Sequence, residues 1–129
     1  MARVLIVEDD PASMDLALRL VRLEKHEPIM TADGETALAL ARAARPDLIL
    51  LDLHIPKLDG WGFVRAFRQE EWAKRVPVIA VSASATPPER ERALRSGCDD
   101  FLAKPYYPEQ MRAMLEKHLP RKAATPDPR

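Results

Sequence analysis

Five times along this chain a short apolar run gives way to a helical stretch, and that alternation leaves few folds open. Val4-Leu5-Ile6-Val7 is too short for a helix and is bounded by acids, so it reads as a buried strand. Asp10-Pro11 supplies a cap and a proline at the first helical position, opening a helix that runs to about Leu23. Pro28-Ile29-Met30-Thr31 is a weaker strand, expected at an edge because its proline cannot donate to a central ladder. Asp33-Gly34 opens an Ala/Leu-rich helix that stops near Arg45-Pro46. Leu48-Ile49-Leu50-Leu51 is the most apolar strand; a loop ending at Gly60 and a helix over Trp61 to Glu70 follow it. Val78-Ile79-Ala80-Val81 is the fourth strand, and Thr86-Pro87-Pro88-Glu89 caps a helix ending at Ser96-Gly97. Asp100-Phe101-Leu102-Ala103 and a helix over Pro108 to Leu119 complete the series. Strands buried on both faces and separated by helices imply a parallel sheet with right-handed crossovers.

The rest of the composition narrows the class. One domain over 1–120 is expected, and Arg121 to Arg129, with two prolines, several charges and no periodicity, reads as a disordered tail. Twenty basic and twenty acidic residues cancel, which argues against nucleic-acid binding through an overall field. Nothing after Leu119 suits a DNA-binding output domain. The single cysteine, Cys98, excludes an intrachain disulfide; it suits a reducing cytoplasm and reads as a small buried residue. No apolar run approaches the ~20 residues of a membrane span, and the start lacks a cleavage pattern. A cytoplasmic protein with no membrane partner is the expectation.

In an open parallel sheet, ligands sit outside the carboxyl ends of the strands. Glu8, Asp9 and Asp10 follow the first strand, Asp52 the third, Ser82 the fourth and Lys104-Pro105 the fifth. Packing gives no reason for acids, a hydroxyl and a lysine to converge there. Two carboxylates about 4 Å apart repel by roughly 4 kcal/mol at an effective dielectric of about 20. Glu8, Asp9 and Asp52 therefore need a counter-charge, which a hard divalent cation such as Mg²⁺ supplies through oxygen ligands. Such a cation also neutralises an incoming phosphoryl group while a carboxylate attacks phosphorus. Lys104 and the Ser82 hydroxyl fit as ligands for the remaining phosphoryl oxygens, so the constellation reads as an aspartyl-phosphate site.

The chain resembles the receiver domain of two-component response regulators over residues 3–119. The matching stretches are Val4 to Asp10, Asp47 to Gly60, Val81-Ser82-Ala83 and Gly97 to Pro105, in order and at family spacings. The resemblance is to chemotaxis-regulator-like or cell-cycle-regulator-like single domains. It implies a flavodoxin-like (βα)5 doubly wound sheet of strand order 2-1-3-4-5. It implies phosphoryl transfer to Asp52 from a sensor histidine kinase or histidine phosphotransfer protein, and signalling to a downstream protein target. Glu8, Asp9, Asp52 and the backbone carbonyl of His54 would hold Mg²⁺, with Mn²⁺ an acceptable substitute. Ser82 is implied as switch hydroxyl, Lys104 as phosphate-pairing cation, Phe101 as switch aromatic, and Pro105 as following a cis bond. His54 and Ser84 sit where the family tunes acyl-phosphate hydrolysis. Phe101 lacks the hydroxyl of the tyrosine often found at its position.

Plainer roles stand beside these. Asp10 is simplest as a helix cap, Asp59-Gly60 as a turn, and His26 and His118 as solvated residues at helix ends. Trp61 and Trp72 read as packing residues flanking the third helix. Met14, Leu16, Leu18, Leu20, Val21 and Leu23 give the first helix either a broad core face or a docking surface for a kinase or phosphotransfer bundle. Tyr106 and Tyr107 could join either that contact or a phosphorylation-dependent one. An aspartate-nucleophile phosphohydrolase is the competing function, but His54 stands where its general acid belongs. A flavin or nucleotide module is disfavoured because Glu8-Asp9-Asp10-Pro11 has no glycine and repels phosphate.

Overall fold

Strands and helices alternate in the expected order in the computed structural model, which describes residues 1–119; the segment Arg121 to Arg129, read as a tail, lies outside the described residues. The strands are β1 (Arg3–Val7), β2 (Glu27–Thr31), β3 (Leu48–Asp52), β4 (Val78–Ser82) and β5 (Asp100–Ala103). The helices are α1 (Pro11–Leu23), α2 (Gly34–Ala44), α3 (Gly60–Phe67), α4 (Pro87–Ser96) and α5 (Pro108–His118). All strand pairs are parallel, and the sheet order is β2-β1-β3-β4-β5. The doubly wound arrangement is thus as expected, with β2 and its Pro28 at an edge.

Because side chains alternate along a strand, the sheet splits the core in two. Leu5, Ile49, Leu51 and Val78 pack with Phe63 and Phe67 under α2, α3 and α4. Val4, Ile6, Leu50 and Ile79 pack with Val21 and Leu115 under α1 and α5. Every residue of β3 and β4 is buried, as their unbroken apolar runs require. On α1 the core takes Ala17, Leu20 and Val21, while Leu16 and Leu23 stay exposed.

Helix starts follow local chemistry. Asp10, Asp33 and Asp59 accept from the N–H groups of Ser13, Thr36 and Gly62 at 2.9, 2.7 and 2.8 Å. Thr86 accepts from Glu89 N–H at 3.3 Å. Gly97 ends α4 at φ 122°, a conformation that favours glycine.

Two expectations need correction. The third helix does not reach Glu70: α3 stops at Phe67, and a 3₁₀ turn over Trp72–Arg75 intervenes before β4. Arg68 supplies the reason. Its guanidinium turns inward and donates to the carbonyls of Ala73, Val76 and Gly97 at 2.7, 2.7 and 2.9 Å, while pairing with Asp99 at 2.7 Å. Nor are His26 and His118 merely solvated. His26 Nδ1 accepts from Ala2 N–H at 3.2 Å, and His118 Nε2 meets Asp100 Oδ2 at 2.8 Å with its side chain only 15% exposed. Both close helix ends back onto the sheet, which the position of a residue in sequence does not reveal. Trp61 is buried and Trp72 packs edge-on against Phe67, consistent with their expected packing role.

Gly34 is required by packing. A Cβ there would lie 1.8 Å from the carbonyl oxygen of Leu58, since the start of α2 is pressed against the loop after β3. Elsewhere in a helix Gly→Ala gains roughly 0.5–1 kcal/mol. Here Gly34→Ala is expected to cost about 2–4 kcal/mol through overpacking and backbone displacement, read as a lower urea midpoint at unchanged slope.

Candidate functional site

Strand register assembles the site. Val7 pairs with Leu51, Asp52 with Val81, and Ser82 with Ala103, so the residues at or just beyond these strand ends share one rim. Carboxylate oxygens of Glu8, Asp9 and Asp52 all lie within 4.8 Å of one another. Glu8 and Asp52 are buried, and Asp9 is exposed. Lys104 reaches in from the end of β5. Its Nζ lies 2.8 Å from Glu8 Oε1, 3.2 Å from Asp52 Oδ2 and 3.3 Å from Ser13 Oγ. The Lys104–Pro105 peptide bond is cis. Asp52 Oδ1 accepts from the N–H of His54 at 2.9 Å.

Among the described residues one amine faces three carboxylates, which leaves the cluster short of positive charge. Burial pushes the Glu8 carboxyl up to about 7; Asp52 adds to this, while Lys104 and the Asp10 N–H oppose it. Burial works against the Lys104 ammonium, yet Glu8 and Asp52 outweigh it and hold its pKa above the ordinary lysine value. The donor set is entirely oxygen, two of the three acids are buried, and their spacing suits a shared ion. These residues fit a hard divalent cation.

A raised carboxyl pKa has a definite pH signature. Between the ordinary 4.5 and about 7, the folded chain keeps a proton on Glu8 that the unfolded chain has lost. Stability from this group is therefore greatest below the window and falls as pH rises through it. Without metal, Glu8→Gln should be more stable than wild type at about pH 8, by on the order of 2–3 kcal/mol. The gap should close near pH 5. Asp100 behaves oppositely: burial raises it, but His118 and Lys117 prevail and hold it at about 2. Its contribution is present above its ordinary 3.8 and is lost as pH falls toward 2. Denaturant titration of both chains across pH checks the pair; a gap independent of pH would refute the Glu8 assignment.

The remaining predicted residues are close by. Ser82 is fully buried at the end of β4; its Oγ accepts from the Ser84 N–H at 3.1 Å and donates to Glu89 Oε2 at 3.4 Å. Phe101 is buried on β5, with the Arg90 guanidinium 4.9 Å from its ring centre. His54 points its ring at Glu89 rather than at Ser84: Nε2 to Oε2 is 2.8 Å, and Trp61 meets the imidazole edge-on at 5.2 Å. Asp10 is spent on capping α1, as expected. Cys98 is buried, and burial pushes its thiol up to about 12, so it is inert.

Two participants escaped the sequence reading. Ser13, in the first turn of α1, touches Lys104. Glu89 stands three residues past a Thr cap, where a capping box would send its carboxylate back to the Thr86 N–H. It bonds His54 and Ser82 instead. Beside the rim a cavity of about 330 Å³ opens, lined by Leu16, Ala17, Met111 and Tyr106 and bounded by Glu8 and Lys104.

An open parallel sheet gathering acids, a hydroxyl and a lysine at its carboxyl rim is the layout of a signalling receiver. The chain belongs to the response regulator receiver domain family, whose family model matches residues 4–116. It is 38% identical over 102 residues to the polar-differentiation response regulator DivK of Brucella anthropi, covering 79% of this chain and 83% of that protein. It is 36% identical over 121 residues to the DNA-binding dual master transcriptional regulator RpaA of Synechocystis, covering 94% of this chain but spanning only 50% of that relative. Among solved structures, the chemotaxis protein CheY4 of Vibrio cholerae superposes with TM-score 0.87 at 30% identity, covering 92% of this chain and 99% of that one. The receiver domain of a Pseudomonas aeruginosa sensor histidine kinase, with a magnesium ion coordinated in its active-site cleft, gives 0.85 at 34% identity, covering 91% and 96%. The protein is thus a phosphorylation-switch signalling domain. Nothing in these likenesses supports the competing phosphohydrolase. No helix among the described residues is long and apolar enough to cross a membrane.

Proposed function

We propose that Asp52 is the phosphoryl acceptor, taking its group from the phosphohistidine of a sensor histidine kinase or a histidine phosphotransfer protein. The observation that carries this is the meeting of Glu8, Asp9 and Asp52 within 4.8 Å under the amine of Lys104. A carboxylate oxygen of Asp52 attacks phosphorus as the phosphorus–nitrogen bond of the donor breaks, and the donor imidazole takes a proton from solvent. The His54 N–H fixes Asp52 Oδ1 and so sets the direction of attack. Glu8, Asp9, Asp52 and the His54 carbonyl would hold Mg²⁺ or Mn²⁺, as the all-oxygen donor set and the magnesium-bound Pseudomonas relative support. When bound, that cation supplies the positive charge that lets an anionic group approach three carboxylates.

Phosphorylation adds roughly −1.5 to −2 charge at Asp52. Lys104, already 3.2 Å from Oδ2, pairs with one new oxygen, and the Ser82 hydroxyl turns to donate to another. That movement vacates space beside β4 into which Phe101 shifts, changing the surface of α4 and β5 that a downstream protein reads. His54 and Ser84 tune the lifetime of the acyl phosphate. Leu16 and Tyr107, exposed near the rim, are candidates for kinase contact. The test is incubation with acetyl phosphate and Mg²⁺ followed by intact mass measurement. A gain of one phosphoryl group, lost with chelator and in Asp9→Ala, is expected; no gain would remove the acceptor assignment.

A further inference from the structure

Glu89 is the only side chain in the described residues that hydrogen-bonds both the proposed switch hydroxyl and the residue two past the acceptor. Its carboxylate lies 2.8 Å from His54 Nε2 and 3.4 Å from Ser82 Oγ, through the same oxygen. The Glu89 side chain is 15% exposed, whereas the His54 ring it meets is half exposed. It projects from the first turn of α4, where the helix macrodipole favours an anion, and Thr86 caps that turn. Trp61 meets the His54 ring edge-on at 5.2 Å, and the Arg92 guanidinium, also from α4, lies 4.0 Å from the indole centre. The imidazole thus contacts residues of both α3 and α4, and α4 is tied to the loop after β3.

Deepening the acceptor assignment on which it rests, we propose that Glu89 is a positioning residue that restrains the switch. It holds the Ser82 hydroxyl in the resting orientation and clamps α4 to His54. To donate to a phosphoryl oxygen, Ser82 must release Glu89, since a hydroxyl has one proton to give. The phosphoryl charge also arrives close to a carboxylate already in place, and like charges oppose the completed state. Glu89 thus opposes phosphorylation in two ways, through the Ser82 hydroxyl and through its charge. A Ser82–Glu89 contact at 3.4 Å is long, so its release is a modest barrier rather than a prohibitive one.

Labelling with acetyl phosphate and Mg²⁺, followed by intact mass over time, tests this. Glu89→Ala should label about three- to tenfold faster than wild type, the scale of one weak charge-assisted hydrogen bond. Glu89→Gln, which keeps the shape and can still bond both partners without the charge, should fall between. In a Ser82→Ala background, slower in itself, Glu89→Ala should accelerate labelling far less. That loss of effect separates a restraint on Ser82 from a general loosening of α4, which would act equally in both backgrounds. Thermal melts of each variant check that the fold is retained; should Glu89→Ala fail to fold, Glu89→Gln carries the comparison. Unchanged or slower labelling in the Glu89 variants, or equal acceleration with and without Ser82, overturns the restraint while leaving Asp52 as acceptor. A wild-type chain that takes no phosphoryl group overturns both.

Discussion

Asp52→Asn is expected to take up no measurable phosphoryl group, at least about 100-fold below wild type, because an amide oxygen cannot serve as the nucleophile that a carboxylate supplies. The fold should survive. The amide oxygen can still accept from the His54 N–H, now held at 2.9 Å, and Lys104 keeps its shorter contact to Glu8 at 2.8 Å. One negative charge also leaves a cluster that has too many, so stability should be unchanged or slightly raised in metal-free buffer. Intact mass after acetyl phosphate treatment reads the first effect and denaturant titration the second. Labelling of Asp52→Asn at the wild-type rate would place the acceptor elsewhere, whereas loss of labelling through unfolding would show as a collapsed transition.

Lys104→Met carries the second large effect, and it appears in stability as well as in signalling. Methionine preserves much of the side chain's length but removes the cation that Glu8 and Asp52, both buried, share. Leaving a buried charge without its partner costs about 3–5 kcal/mol in comparable cases. Solvent access at the rim, and protonation of Glu8, reduce this to an expected 2–4 kcal/mol without metal. The sign with pH follows from the shifts. The Lys104 pKa is raised, so its stabilising share is fully present below the ordinary lysine value of 10.5 and is lost only as pH rises above it. Glu8, already raised to about 7, can take a proton on acidification and relieve the loss. The deficit of Lys104→Met should therefore be largest near pH 8 and shrink toward pH 5, and added Mg²⁺ should offset it. Phosphoryl labelling should persist at a reduced rate, because Asp52 and the acids remain. The response of Ser82 and Phe101 should vanish, since the cation that pairs the new oxygens is missing. A Lys104→Met chain with wild-type stability and normal signalling would falsify the assignment of this lysine.

Much of the rim was legible in the chain because strand ends are legible. Leu48 to Leu51 and Val78 to Val81 admit one local structure, and in a parallel sheet their carboxyl ends meet. Asp52 and Ser82 are the last residues of those strands, so their neighbourhood follows from topology alone. Glu89 could not be read this way. It lies in the first turn of α4, its sequence context suits an ordinary capping acid, and only the crossing of α4 over the loop after β3 brings it to His54. The 3₁₀ turn over Trp72–Arg75 was hidden for a related reason. Arg68 looks like a surface arginine on a helix until its four partners, three of them carbonyls, are known.

Periodicity and turn chemistry, both local, determined by themselves that this chain forms five strand–helix units, that the sheet is parallel, and which residues stand at its carboxyl edge. Tertiary structure alone decided how charge is shared there: which acids the Lys104 amine reaches, how far burial lifts Glu8, and that Ser82 rests against Glu89. Electrostatic energies depend on distance and on exclusion of water, and neither quantity exists until segments remote in sequence have packed together.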